Sequence, residues 1–159
     1  MAIDKNFIEI CFVDLGNTSN YDYYKISDMN DLNEAYRDFK ADDVELQSIS
    51  HNQFITDNIR EICELLLEED VELNDIINVL NACGSMEQTR EVILNSSYMY
   101  VDGFNKREAF ITYIDELDYL RDIPEHLASY IDYDKLMRDF EFDGLIIDNT
   151  SLDEYIFIY

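Results

Sequence analysis

At 159 residues, with 47% hydrophobic and 13% aromatic content, the chain can bury a core without cross-links and lies outside the composition of disordered polypeptides. Thirty-six acids against eleven bases leave a net charge of −25, which repels nucleic acid and anionic membranes and selects a basic partner. Three widely spaced cysteines without a CxxC, and no apolar run of membrane-spanning length, argue against a disulfide scaffold, a zinc site and a transmembrane protein.

Glycine and proline fall where the hydrophobic period changes, so they punctuate the chain. FIEICFV (7–13) reads as a strand, LGNTSN (15–20) as a turn and YDYYKI (21–26) as a second strand. Ser27 or Asp28 caps a short helix over 29–39, and VELQSIS (44–50) alternates as a third strand. From Thr56 the period turns helical, with Ile59, Ile62, Cys63, Leu66 and Leu67 on one face. A second helix over 74–83 stops at Gly84, and Ser85 with Gln88 forms a capping box for a third, MEQTREVIL. After SSYMYVDG, Asn105 and Glu108 open a helix to about Leu120. Pro124 starts a short helical piece, Asp132 caps YDKLMRDF, and LIID with EYIFIY closes the chain as a hairpin. An α+β protein of three subdomains is expected, over residues 1–52 (sheet plus helix), 53–97 (helical cluster) and 98–159 (helices plus hairpin). The start, MAIDKNFIEICFVDLG, shows no basic leader with an apolar run and cleavage site, so an unexported, soluble, cytoplasmic protein is expected.

The charge is spread along the whole chain: −7 over residues 1–50, −8 over 51–100 and −10 over 101–159. On a helix from Thr56, the acids Asp57, Glu61, Glu64 and Glu68 share one stripe, with Arg60 placed to compensate Glu64. Such a stripe alone is compatible with a solvated face. Equally lopsided segments at 39–45, 115–122 and 130–143 are not what a surface tuned only for solubility shows, because that would mix signs. Duplex DNA carries one charge per roughly 1.7 Å, so 25 charges correspond to about 42 Å of duplex. One helix stripe, with a carboxylate every ~5.5 Å, is sparser than a phosphate strand at ~3.4 Å. Imitation of DNA therefore needs an elongated molecule pooling several acidic faces.

Other chemistry is poorly supported. In DFEFDGLIIDNT, Asp139, Glu141, Asp143, Gly144 and Ile146 approach a calcium loop, but its twelfth position is Thr150 rather than Glu; a capped helix end and turn fits better. His51 and His126 stand alone, and no nucleophile, phosphate-loop or dinucleotide motif is present, so no catalytic residue, metal or cofactor is expected. Tyr98, Tyr100, Tyr113, Tyr119, Tyr130 and Tyr133 lack a basic groove for base stacking, and packing is the better reading.

Residues 123–159 resemble the end of the ArdA antirestriction proteins, with Pro124, Leu127, Tyr130, Ile131, Asp132, Arg138, Asp139, Phe140, Gly144 and the closing EYIFIY in the family's places. LNACGSMEQTREVILNS (80–96) is similar to the family's antirestriction segment, and FIEICFVDLGN to its opening strand and turn. The resemblance implies an elongated α+β protein, dimeric through its C-terminal part, that imitates bent B-form DNA and occupies the DNA groove of type I restriction–modification enzymes. The acids expected to stand for phosphates are Asp57, Glu61, Glu64, Glu68, Glu69, Asp70, Glu72, Asp75, Glu87, Glu91, Asp115, Asp118, Asp122, Asp132 and Asp134. A homodimer is expected through Tyr155, Phe157 and Tyr159, because the apolar strand YIFIY would leave an edge or face exposed on a monomer. Other victims of the same mimicry, such as a CRISPR effector or a nucleoid protein, remain open. So does an acidic chaperone or immunity-type partner of one basic protein; halophilic adaptation is a third reading, to which the abundant Ile, Tyr and Phe give no particular support.

Overall fold

The computed structural model describes residues 6–159, an α+β fold with two antiparallel three-stranded sheets. The first five residues, which bear on the leader reading, lie outside the described range. The chain divides into two compact units, one ending at Leu94 and the other beginning at Asn95.

In the first unit, β1 (Ile8–Asp14) lies between β2 (Asn17–Ile26) and β3 (Val44–Ser48). Alternation along β1 sends Ile8, Ile10 and Phe12 into the core. There the Phe12 ring meets Tyr24, Tyr36 and Phe39 at 4.9, 5.0 and 5.8 Å between centroids. The expected turn over 15–20 shrinks to Leu15-Gly16, because Asp14 Oδ1 accepts the Gly16 N–H at 2.8 Å and β2 begins at once. α1 (Met29–Asp38) is capped by Asp28, whose carboxylate accepts the Asp31 N–H.

The single helix expected from Thr56 is two. α2 (Gln53–Asp57) starts earlier, because the Asn52 side chain caps the Ile55 N–H, and it is separated by Asn58 from α3 (Ile59–Glu68). At Asn58 the backbone sits at φ −101, ψ 11, and its side chain donates back to the Phe54 carbonyl, a local bond that competes with helix continuation. The buried face of α3 is Ile59, Ile62, Cys63 and Leu65, while Leu67 is 69% exposed. α4 (Leu73–Cys83) ends at Gly84, where φ is +78, and α5 (Met86–Asn95) follows with Ser85 Oγ accepting the Gln88 N–H. Because α2 packs on β3 and α1 on α3, the expected boundary at 52/53 falls inside this unit.

In the second unit, β6 (Glu154–Ile158) is the central strand, between β4 (Tyr98–Asp102) and β5 (Ile146–Ser151). This corrects the reading of the terminal strand as an exposed edge: Tyr98 pairs with Ile158 on one side and Ile146 with Ile158 on the other. Phe157 is fully buried, so it is not available to a dimer interface; Tyr155 is half-buried, and only Tyr159 is exposed. α6 (Lys106–Glu116), capped by Asn105, buries Ala109, Phe110, Tyr113 and Ile114. It stops short of Leu120 because Asp118 adopts φ +50 and the Tyr119 N–H turns back to the Ile114 carbonyl, a Schellman closure. A short α7 (Glu125–Ala128) precedes α8 (Tyr133–Phe142). At the end of α8, Gly144 at φ +109 permits the same closure, with the Leu145 N–H bonded to the Phe140 carbonyl. Asp139 and Glu141 therefore lie on a helix, Asp143 caps it, and Ile146 opens a strand: a helix end and turn in place of a calcium loop.

Candidate acidic interface

Folding leaves the acids outside. The buried polar residues are Thr56 and Thr89, so no described carboxylate is buried. Residues 6–94 hold 20 acids and five bases, net −15; residues 95–159 hold 15 and five, net −10. Each unit is a polyanion by itself.

In the first unit the helix break removes Asp57 from the stripe. It sits at the end of α2 and accepts from Gln53 Nε2 at 2.8 Å, while Gln53 also clips the edge of β3 through Ser48 N–H and the Leu46 carbonyl. Glu61, Glu64 and Glu68 remain spaced three and four apart on α3. The compensation expected from Arg60 to Glu64 does not form: the Arg60 guanidinium lies over the Tyr36 ring, 5.6 Å from its centroid. Glu68 is paired with Arg90 of α5. Glu69 caps the end of α3, Asp70 follows in the loop, Glu72 stands at the N-cap of α4 without a side-chain cap bond, and Asp75 is in its first turn. Glu87 and Glu91 are exposed on α5.

In the second unit Asp115 lies in the last turn of α6, Asp118 takes the left-handed position after it, and Asp122 sits beside Arg121 at 3.8 Å. Asp132 has a folding role, accepting the Lys135 N–H at 3.1 Å as the cap of α8. Asp134 meets Arg107 at 3.1 Å.

Acids at helix N-termini suit the macrodipole, as Asp75 and Glu87 do. Those at the other ends do not. α3 finishes in Glu68 and Glu69, α6 in Asp115 and Glu116, and α8 in Glu141 and Asp143, and none of these helices has a base in its last turn. Glu68 and Glu141 are offset by Arg90 and Lys106, while each of the others opposes the helix dipole by roughly 0.3–1 kcal/mol. Glu116, Asp139 and Glu141, in last turns, and Asp143, the C-cap of α8, are acids at helix ends outside the set expected from the sequence.

The thiols are shifted away from the reactive thiolate. Burial pushes Cys63 up to about 12, with the negative charges of Asp28 and Asp31 adding to it, and burial also raises Cys11 and Cys83. Among the described residues, no three His, Cys, Asp or Glu side chains converge on a point that could hold a metal ion. Nor is any described helix long and apolar enough to cross a membrane. The chain matches no protein-family model and no curated protein.

Proposed function

We propose that this chain is a non-enzymatic DNA mimic that occupies the DNA-binding groove of a type I restriction–modification enzyme in the bacterial cytoplasm, carried by a phage, plasmid or transposon. The observation that carries the reading is the unneutralised surface charge of both units. Eleven cations cannot offset thirty-six acids in any arrangement, and several of the cations already serve local pairs, with Glu68, Glu141, Asp134 and Asp122. The carboxylates at the ends of α3, α6 and α8 that no described cation meets, Glu69, Asp115, Glu116 and Asp143, add support, since lysine or arginine there would suit the helix dipole better.

In this reading the exposed carboxylates take the places of phosphates opposite the lysines and arginines of the target, and no base edge is copied. Complementary potential speeds association and screens with salt. The resemblance of residues 123–159 to the ArdA proteins names the target class. The test is displacement of labelled DNA from a purified type I methyltransferase core as this protein is titrated at increasing ionic strength. Displacement at low salt that weakens as salt rises is expected; none at low salt removes this target.

A further inference from the structure

We infer that residues 117–130, between α6 and α8, form a docking surface for a basic protein face that offers apolar pockets among its cations; this rests on the partner being basic. The segment has a defined backbone. After the closure at Asp118, single turns follow in which Arg121 N–H bonds Asp118, Ile123 bonds Leu120, Leu127 bonds Pro124 and Tyr130 bonds Leu127. Tyr119 is fixed by an edge-to-face contact with Phe140, at 5.0 Å between centroids.

Yet this ordered stretch buries little. Every residue from 121 to 130 is exposed. Leu117, Tyr119, Ile123, Leu127 and Tyr130 are 49, 58, 39, 43 and 82% exposed. Isolated surface apolar residues need no explanation, but five exposed within fourteen residues of one segment exceed scattered single exposure.

Charge selects what covers them. Residues 115–132 carry six acids, and their one arginine, Arg121, already lies beside Asp122. A second copy would bring the same negative segment against a unit of net −10, and anionic lipid would be repelled likewise. A cationic face with apolar pockets satisfies both components, and tyrosines at such a contact supply large area at low entropic cost.

The test compares two labelled peptides of equal charge, an oligolysine and an amphipathic helix with lysine on one face and leucine on the other, by fluorescence anisotropy. The wild-type protein is expected to bind the lysine–leucine helix at least about tenfold tighter, the worth of one buried apolar side chain. The variant Leu117→Ser/Leu127→Ser/Tyr130→Ser, whose changes are on the surface, is expected to lose that preference while keeping its thermal midpoint and its affinity for oligolysine. Equal wild-type affinity for the two peptides, or a preference retained by the variant, overturns the inference. So does sedimentation showing that the same substitutions convert a dimer to a monomer, which would make a second copy the occupant. A protein that keeps the peptide preference but fails to displace DNA from the methyltransferase would lose its proposed target and keep this surface.

Discussion

The ring of Phe157 stacks on that of Tyr113, with centroids 4.5 Å apart and planes 15° from parallel. The contact joins the central strand β6 to helix α6, and both side chains are buried, Phe157 completely. Phe157→Ala should therefore cost about 3–5 kcal/mol through lost transfer energy and the cavity left behind. Phe157→Leu should cost distinctly less. Urea denaturation followed by circular dichroism measures both. If Phe157 instead served association, its truncation would change sedimentation and leave the monomer's stability intact.

Gly103 approaches α6 so closely that a Cβ placed on it would lie 2.6 Å from the Ala109 nitrogen and 2.8 Å from its Cα. The loop cannot easily retreat, because the Gly103 N–H is bonded to the Asp153 carbonyl at 2.9 Å. Gly103→Ala should destabilise by about 1–3 kcal/mol. Adding Ala109→Gly should restore little, since the closest contacts are with backbone atoms that glycine retains. Thermal melts of the single and double variants decide this, and full rescue would show that the side chain alone is in the way.

Features decided within a few residues were legible in the sequence. The caps Asn105 and Asp132 and the stop at Gly84 act as expected, Asp28 is the one of the two candidates Ser27 and Asp28 that caps α1, and the helix end expected within 139–150 closes at Gly144, because a cap bond and a left-handed glycine depend on immediate neighbours. Long-range choices were not. SSYMYVDG carries no signal that β4 will lie beside β6, and that pairing turns YIFIY from an edge into a centre. The acids were legible as a surface by type alone, whereas their partners were not: Arg90 reaches Glu68 and Arg107 reaches Asp134 across gaps that no local rule spans. Arg60 illustrates the same limit, with a helical neighbour at Glu64 giving way to the ring of Tyr36 from another element.

Under the proposed mimicry, carboxylates at helix C-termini would act on stability and on binding with opposite signs. Glu116→Lys at the end of α6 and Glu69→Lys at the end of α3 should each stabilise by roughly 0.3–1 kcal/mol at low ionic strength, through the dipole and reduced self-repulsion. The gain should shrink in concentrated salt. Each should also weaken displacement of DNA from the methyltransferase. Stabilisation without loss of displacement would mean that these two acids are merely solvated.

Cys63 is expected to set part of the alkaline limit of the first unit. Its thiol is 1% exposed on α3 and held protonated up to about 12, against 9.0 for the free side chain. Because the folded value is raised, the proton is held equally by both states below pH 9, and the contribution to stability there is complete. Between about 9 and about 12 the unfolded chain releases the proton while the folded chain keeps it, so stability falls with pH. For one such group the slope approaches about 1 kcal/mol per pH unit. Cys63→Val, close in volume and unable to ionise, should flatten the decline in urea midpoint above pH 9 relative to wild type. The half-buried Tyr24 and the buried Tyr113, also raised, remain in both proteins and cancel in the comparison. Parallel declines for the two proteins would show that the Cys63 thiol ionises as readily in the native core as in the unfolded chain.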